Sequence, residues 1–178
     1  MMTMTRTDRN PFVWTVTLAT TAVLGTLATA CMMPFVAVAT IAAATMPRNQ
    51  AVIAVLGAWA ANQLLGFGLL GFPSTGFAVA WGIALGAASV AIIPLVRRLA
   101  DASVARLLLA FVVAFAAWEA VLFGFALAVG GNGTFTPAIV LRLFGNEALW
   151  FALLGGLHLL LTRSAPRVFG PSPLVRLG

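Results

Sequence analysis

The chain has 178 residues, of which 62% are hydrophobic and 8% charged, with a mean hydropathy of +1.07. A soluble domain needs far more polar surface, so the composition excludes one and points to an all-α, polytopic membrane bundle. Ten basic residues against four acids give a net charge of +6, which in so apolar a chain reads as orientation and lipid-headgroup contact, not nucleic-acid binding.

Residues 1–11 carry Arg6, Asp8 and Arg9 and form a basic N-terminus. Phe12 to Met46 then runs 35 residues without a charge, too long for one comfortable span and barely enough for two. Pro34, with Cys31 just before it, is the natural break. A cleavable signal peptide ending at Ala28-Thr29-Ala30 is a rival reading, but the chain beyond Cys31 stays apolar, which favours a retained span.

The apolar runs predict about six spans, at 12–30, 32–46, 51–72, 76–96, 104–129 and 138–162. Residues 12–163 thus form the membrane domain, and 164–178, with three prolines, a basic tail. Arg48, then Arg97, Arg98 and Arg106, then Arg163, Arg167 and Arg176 fall on one side, and Arg6 and Arg9 join them if the first charge-free run enters and returns. The opposite connections, around Cys31–Pro34, Pro73–Gly76 and Gly130–Pro137, carry no charge. The positive-inside rule then makes both termini cytoplasmic, in what reads as a bacterial inner (plasma) membrane.

Small residues recur at helical spacing in the first span (Thr17, Thr21, Gly25, Thr29) and the fourth (Ala78, Gly82, Gly86), which reads as close helix packing. Trp14 sits where interfacial anchors belong, while Trp59, Trp118 and Trp150 lie deeper and fit the core.

The third span holds Asn62 and Gln63 ahead of glycines 66, 68 and 71. The segment 62–71 aligns without gaps to 146–155, sharing Asn, Phe, Gly and three Leu, with Gln63 opposite Glu147. Placed in spans three and six, the two segments suggest a 3+3 inverted repeat whose polar pairs mark a working layer. By the helical rise of about 1.5 Å per residue, Asn62, Glu119 and Glu147 lie roughly 15 Å from the outer face.

Two carboxylates at that depth do not both stay charged and unpaired: a proton, a cation or Arg142 must compensate. Arg142 shares a helix face with Asn146, whereas Glu147 points about 140° away, so Glu119 is the better partner for Arg142. Glu147 is then the acid without a countercharge and the leading functional candidate. Substrate- or ion-binding candidates are therefore Asn62, Gln63, Glu119, Arg142, Asn146 and Glu147, with Cys31 and His158 secondary. His158, near the inner surface, reads as an interfacial histidine or a proton relay.

A single Cys and a single His exclude an internal disulfide and a Cys/His metal cluster, so no metal or cofactor is assigned. No hydrolase elbow, zinc-protease helix or phosphate loop is present, and no enzyme is expected. The size, helix count, orientation and small-residue stripe of the first span resemble the substrate-binding membrane subunits (S components) of energy-coupling-factor vitamin and metal transporters. The resemblance implies a six-helix protein that binds a small solute and docks on a coupling subunit. The expected function is thus a small membrane transport or substrate-binding protein, holding a small solute or cation in its polar layer. Such a chain is expected to form homo-oligomers or join a larger transporter. The alternative is a structural or assembly subunit in which the same residues are interhelical glue.

Overall fold

The computed structural model describes residues 11–28, 33–100, 103–165 and 169, so the basic N-terminus, most of the tail and Cys31 lie outside the described residues. Among the described residues the chain forms six α-helices and no strands: α1 (Pro11–Ala28), α2 (Phe35–Thr45), α3 (Arg48–Gln63), α4 (Gly76–Leu99), α5 (Val104–Val129) and α6 (Pro137–Ser164). The helix α3 runs on as a π-helical segment, Leu64–Leu69.

Helix ends follow local chemistry. Thr75 and Thr136 cap α4 and α6, their hydroxyls accepting from the Ala78 N–H (3.2 Å) and the Ile139 N–H (3.4 Å). Pro137 stands in the first turn of α6, where its missing N–H costs nothing. Gly130 and Gly131 end α5 with φ of 98° and 102°, backbone that a β-carbon opposes. At Gly131 a β-carbon would also stand 3.0 Å from the Trp81 ring.

Four helical stretches are long and apolar enough to cross a membrane: Arg48–Leu69, Gly76–Leu99, Val104–Val129 and Pro137–Ser164. With large apolar side chains exposed along all of them, the chain is an integral membrane helical bundle.

The second expected span needs correction. At 11 residues α2 is only about 16 Å long, half the roughly 30 Å hydrocarbon core. It is the innermost element, with every residue from Phe35 to Ala43 buried and α3, α4, α5 and α6 packed around it. Its sequence, FVAVATIAAAT, is apolar on every face, as a fully enclosed helix requires. The small Ala positions let four neighbours approach one axis.

One end of the bundle is fixed by three contacts. Trp14 Nε1 donates to Thr45 Oγ1 (3.1 Å), joining the start of α1 to the end of α2. Arg97 donates to the Ala43 and Met46 carbonyls (2.9 Å each), joining the end of α4 to the same place. The Trp14 ring lies 4.8 Å from that of His158, near the end of α6. Arg48, Arg97, Arg98, Arg106 and Arg163 therefore gather at this end. Trp14, expected at the lipid interface, is instead 5% exposed and fastens α1 to the core.

The opposite end is aromatic, with Trp81 between Phe77, Phe125 and Phe135 at ring separations of 5.2–6.4 Å. Between the two ends, Trp59 of α3 lies over the glycines of α4. Its Nε1 donates to the Gly82 carbonyl (2.7 Å), and a β-carbon at Gly86 would stand 2.8 Å from the same nitrogen. The small stripe of the fourth span is thus a packing feature.

Candidate functional site

The helix α2 begins inside the bundle; the Phe35 N–H donates to the Met33 carbonyl (2.9 Å), and those of Val36 and Ala37 have no preceding turn to serve them. Pro34 stands at its N-cap and offers no side-chain hydrogen bond. Glu147 of α6 supplies what is missing: one carboxylate oxygen accepts from the Val36 N–H (3.2 Å), the other from the Ala37 N–H (2.7 Å). Glu147 is 3% exposed, so these bonds form away from water and against the positive end of the helix dipole. The acid expected to lack a countercharge has one, made of backbone.

Depth agrees with this arrangement. Glu147 lies ten residues after Pro137 and Glu119 ten residues before Val129, each about 15 Å from the aromatic end. Adding the roughly 16 Å of α2 gives about 31 Å, one hydrocarbon thickness. The helix α2 therefore spans the half of the bundle between the carboxylate layer and the arginine end.

Glu119 is 9% exposed, and neither of its carboxylate oxygens has a hydrogen-bond partner among the described residues. By position along its helix it lies in the same layer as Glu147. The expected Glu119–Arg142 pair does not form. Arg142 is exposed, five residues into α6. Asn146 is half-buried on α6.

The amide pair belongs to another place. Asn62 and Gln63 are half-buried and line a cavity of about 480 Å³ between the π-helical end of α3 and the start of α4. Phe67, Phe72, Phe77 and Trp81 form its apolar wall, and neither carboxylate reaches it. A β-carbon at Gly82 would lie 2.7 Å from Gln63 Oε1, so that glycine keeps room for the amide. The layer drawn from the sequence is therefore two sites: an amide cavity between α3 and α4, and a carboxylate pair around the start of α2.

The two look-alike segments also differ in conformation. Residues 62–71 leave the α-helix after Gln63 and end at Gly71 with φ of 67°, whereas 146–155 are uninterrupted helix. Gln63 lines a cavity where Glu147 holds a helix end.

His158 is 3% exposed, with no partner on either ring nitrogen among the described residues. It lies under Trp14 and not at the lipid surface. No group of three or more His, Cys, Asp or Glu among the described residues is placed to hold a metal ion.

Sequence reasoning missed Arg97, which completes the far end of α2, and Trp81, which lines the cavity between α3 and α4. The signal for the first was present: a charge-free run too short for two full spans implies a partial helix, and a partial helix needs caps at both ends. Comparison of the chain with protein-family models, with curated proteins and with solved structures gave no match.

Proposed function

We propose that the chain is a small transport or substrate-binding protein of the membrane, which takes a small uncharged solute into the cavity between α3 and α4. The observation that carries this reading is a cavity of about 480 Å³ in which two amides stand among aromatic rings. Ligand pockets have this character: largely apolar walls that supply contact area and a few polar groups that fix orientation. Amides at this depth are costly to retain without a partner, and a solute with hydrogen-bonding groups provides one. The gathering of five arginines at one end supports a cytoplasmic placement of that end, and with it both chain termini, in an inner (plasma) membrane. In this reading the chain works as the substrate-binding subunits of energy-coupling-factor transporters do, passing its solute on with a partner.

Native mass spectrometry of the full chain, released gently from membranes, tests the proposal. A small-molecule adduct is expected on the parent and absent from the Asn62→Leu/Gln63→Leu variant. A parent without adduct, or an adduct unchanged in the variant, contradicts it.

The assembly-subunit reading has one observation in its favour, a shallow apolar depression on the outer face of α4 and α5. It is lined by Ala80, Ala84, Ala87 and Ala91 with Val121 and Phe125, small positions of the kind helices pack against. Stoichiometric copurification of a second membrane subunit, with no adduct on either, favours that reading.

A further inference from the structure

Two buried acids share one layer, and the structure treats them in opposite ways. Both oxygens of Glu147 accept backbone N–H bonds, which is the bonding of an ionised carboxylate. The start of a helix adds favourable potential for that charge. Glu119 has no donor on either oxygen among the described residues, so an ionised form there would be buried without compensation. Among the described residues its surroundings offer no cation. The helix α2 carries no ionisable residue, and the only ones on α4, Arg97 and Arg98, stand in its last turn. On α6, Glu147 already accepts two backbone N–H bonds, Arg142 is exposed, and His158 lies eleven residues further along, beneath Trp14. On α5 itself, Arg106 is thirteen residues away, near the arginine end. On α3, Arg48 is at the same end.

We propose that Glu119 is a proton-binding site in the membrane interior, holding its proton while Glu147 stays ionised on the N-terminus of α2. A proton, and not a metal cation, is the ligand this geometry fits. A sodium-sized ion requires several oxygen ligands, and no group of three or more His, Cys, Asp or Glu that could supply them is present among the described residues, while both oxygens of Glu147 are already engaged. Loss of the Glu119 proton to solvent leaves two anions in one buried layer, whereas transfer of that proton to Glu147 removes the repulsion without net release and weakens the hold of Glu147 on Val36 and Ala37. The position of the proton thereby bears on the seating of the central half-helix. This inference does not depend on solute binding between α3 and α4.

Dicyclohexylcarbodiimide, which attacks protonated carboxyls in apolar surroundings, is the probe. The full chain in lipid nanodiscs is treated across a pH series, with and without Na⁺, and the labelled residue is located by peptide mass spectrometry. Label is expected on Glu119 in preference to Glu147, falling as pH rises and indifferent to Na⁺. Label chiefly on Glu147, label independent of pH, protection by Na⁺, or no label at any pH would each overturn the proposal. Infrared difference spectra between acid and alkaline samples provide a second reading. A protonated-carboxyl C=O band that survives at a pH where exposed carboxyls are ionised is expected of the parent and should vanish in Glu119→Gln, which mimics the protonated acid in shape; such a band persisting there overturns the proposal as well.

Discussion

Glu147 and Glu119 are the same residue type at the same depth on adjacent helices in sequence, yet they differ in everything that decides function. Glu147 accepts a backbone N–H on each oxygen and holds a helix in place; Glu119 has no hydrogen-bond partner among the described residues. The difference comes from α2, a helix that starts inside the bundle and offers its Val36 and Ala37 N–H groups to Glu147 of α6. Burial by itself therefore says little about what an intramembrane acid does. The donors around it say more.

The largest expected effect comes from Glu147→Ala, which strands the Val36 and Ala37 N–H groups in an apolar interior. Hydrogen bonds to a charged group contribute about 1.5–3 kcal/mol each, so a loss of roughly 3 kcal/mol or more is expected in reversible unfolding in mixed micelles. Glu147→Gln keeps one acceptor oxygen and should fall between that variant and the parent. Parent-like stability of Glu147→Ala would end the contrast between the two acids.

Arg97 is the counterpart of Glu147 at the other end of α2, but it is exposed to the interface, where water replaces lost bonds. Arg97→Ala should cost about 1–2 kcal/mol in the same assay, with partial recovery in Arg97→Lys. A loss as large as that of Glu147→Ala would show that α2 is held equally from both ends.

The smallest effects are expected at Glu119 and Arg142. Glu119→Gln replaces a carboxyl that has no partner with a neutral group of the same shape, and Arg142→Gln alters an exposed side chain. Each should change stability by less than about 0.5 kcal/mol. Because the two do not pair, the double variant should equal the sum of the singles. A coupling above roughly 0.5 kcal/mol would mean that they meet after all.

Much of the fold was legible in the sequence. Apolar runs between arginine clusters locate α3 to α6 to within a few residues, because bilayer thickness and the positive-inside rule act on composition alone. The depth of Glu119 and Glu147 was legible for the same reason, since it follows from counting residues along a helix. The role of each acid was not. Helical rotation on α6 correctly turned Glu147 away from Arg142, but no intrahelical argument reveals that the start of another helix, 110 positions earlier in the chain, faces it. The 35-residue run was read as two crossings because Pro34 looked like a turn at the surface, whereas the chain resumes as helix deep inside. The amide pair was misplaced into the same layer as the acids because equal depth was taken for proximity, and α3 and α6 carry their polar residues to different sides of the bundle.

The central claim is that Glu147 holds the start of a buried half-helix, and amide hydrogen exchange at Val36 and Ala37 tests it most directly. In lipid nanodiscs both amides should be strongly protected in the parent and in Glu119→Gln. In Glu147→Gln their exchange should quicken, most at Ala37, whose 2.7 Å bond is the shorter, while the remainder of α2 stays protected. Equal protection of the two amides in all three proteins would contradict the account.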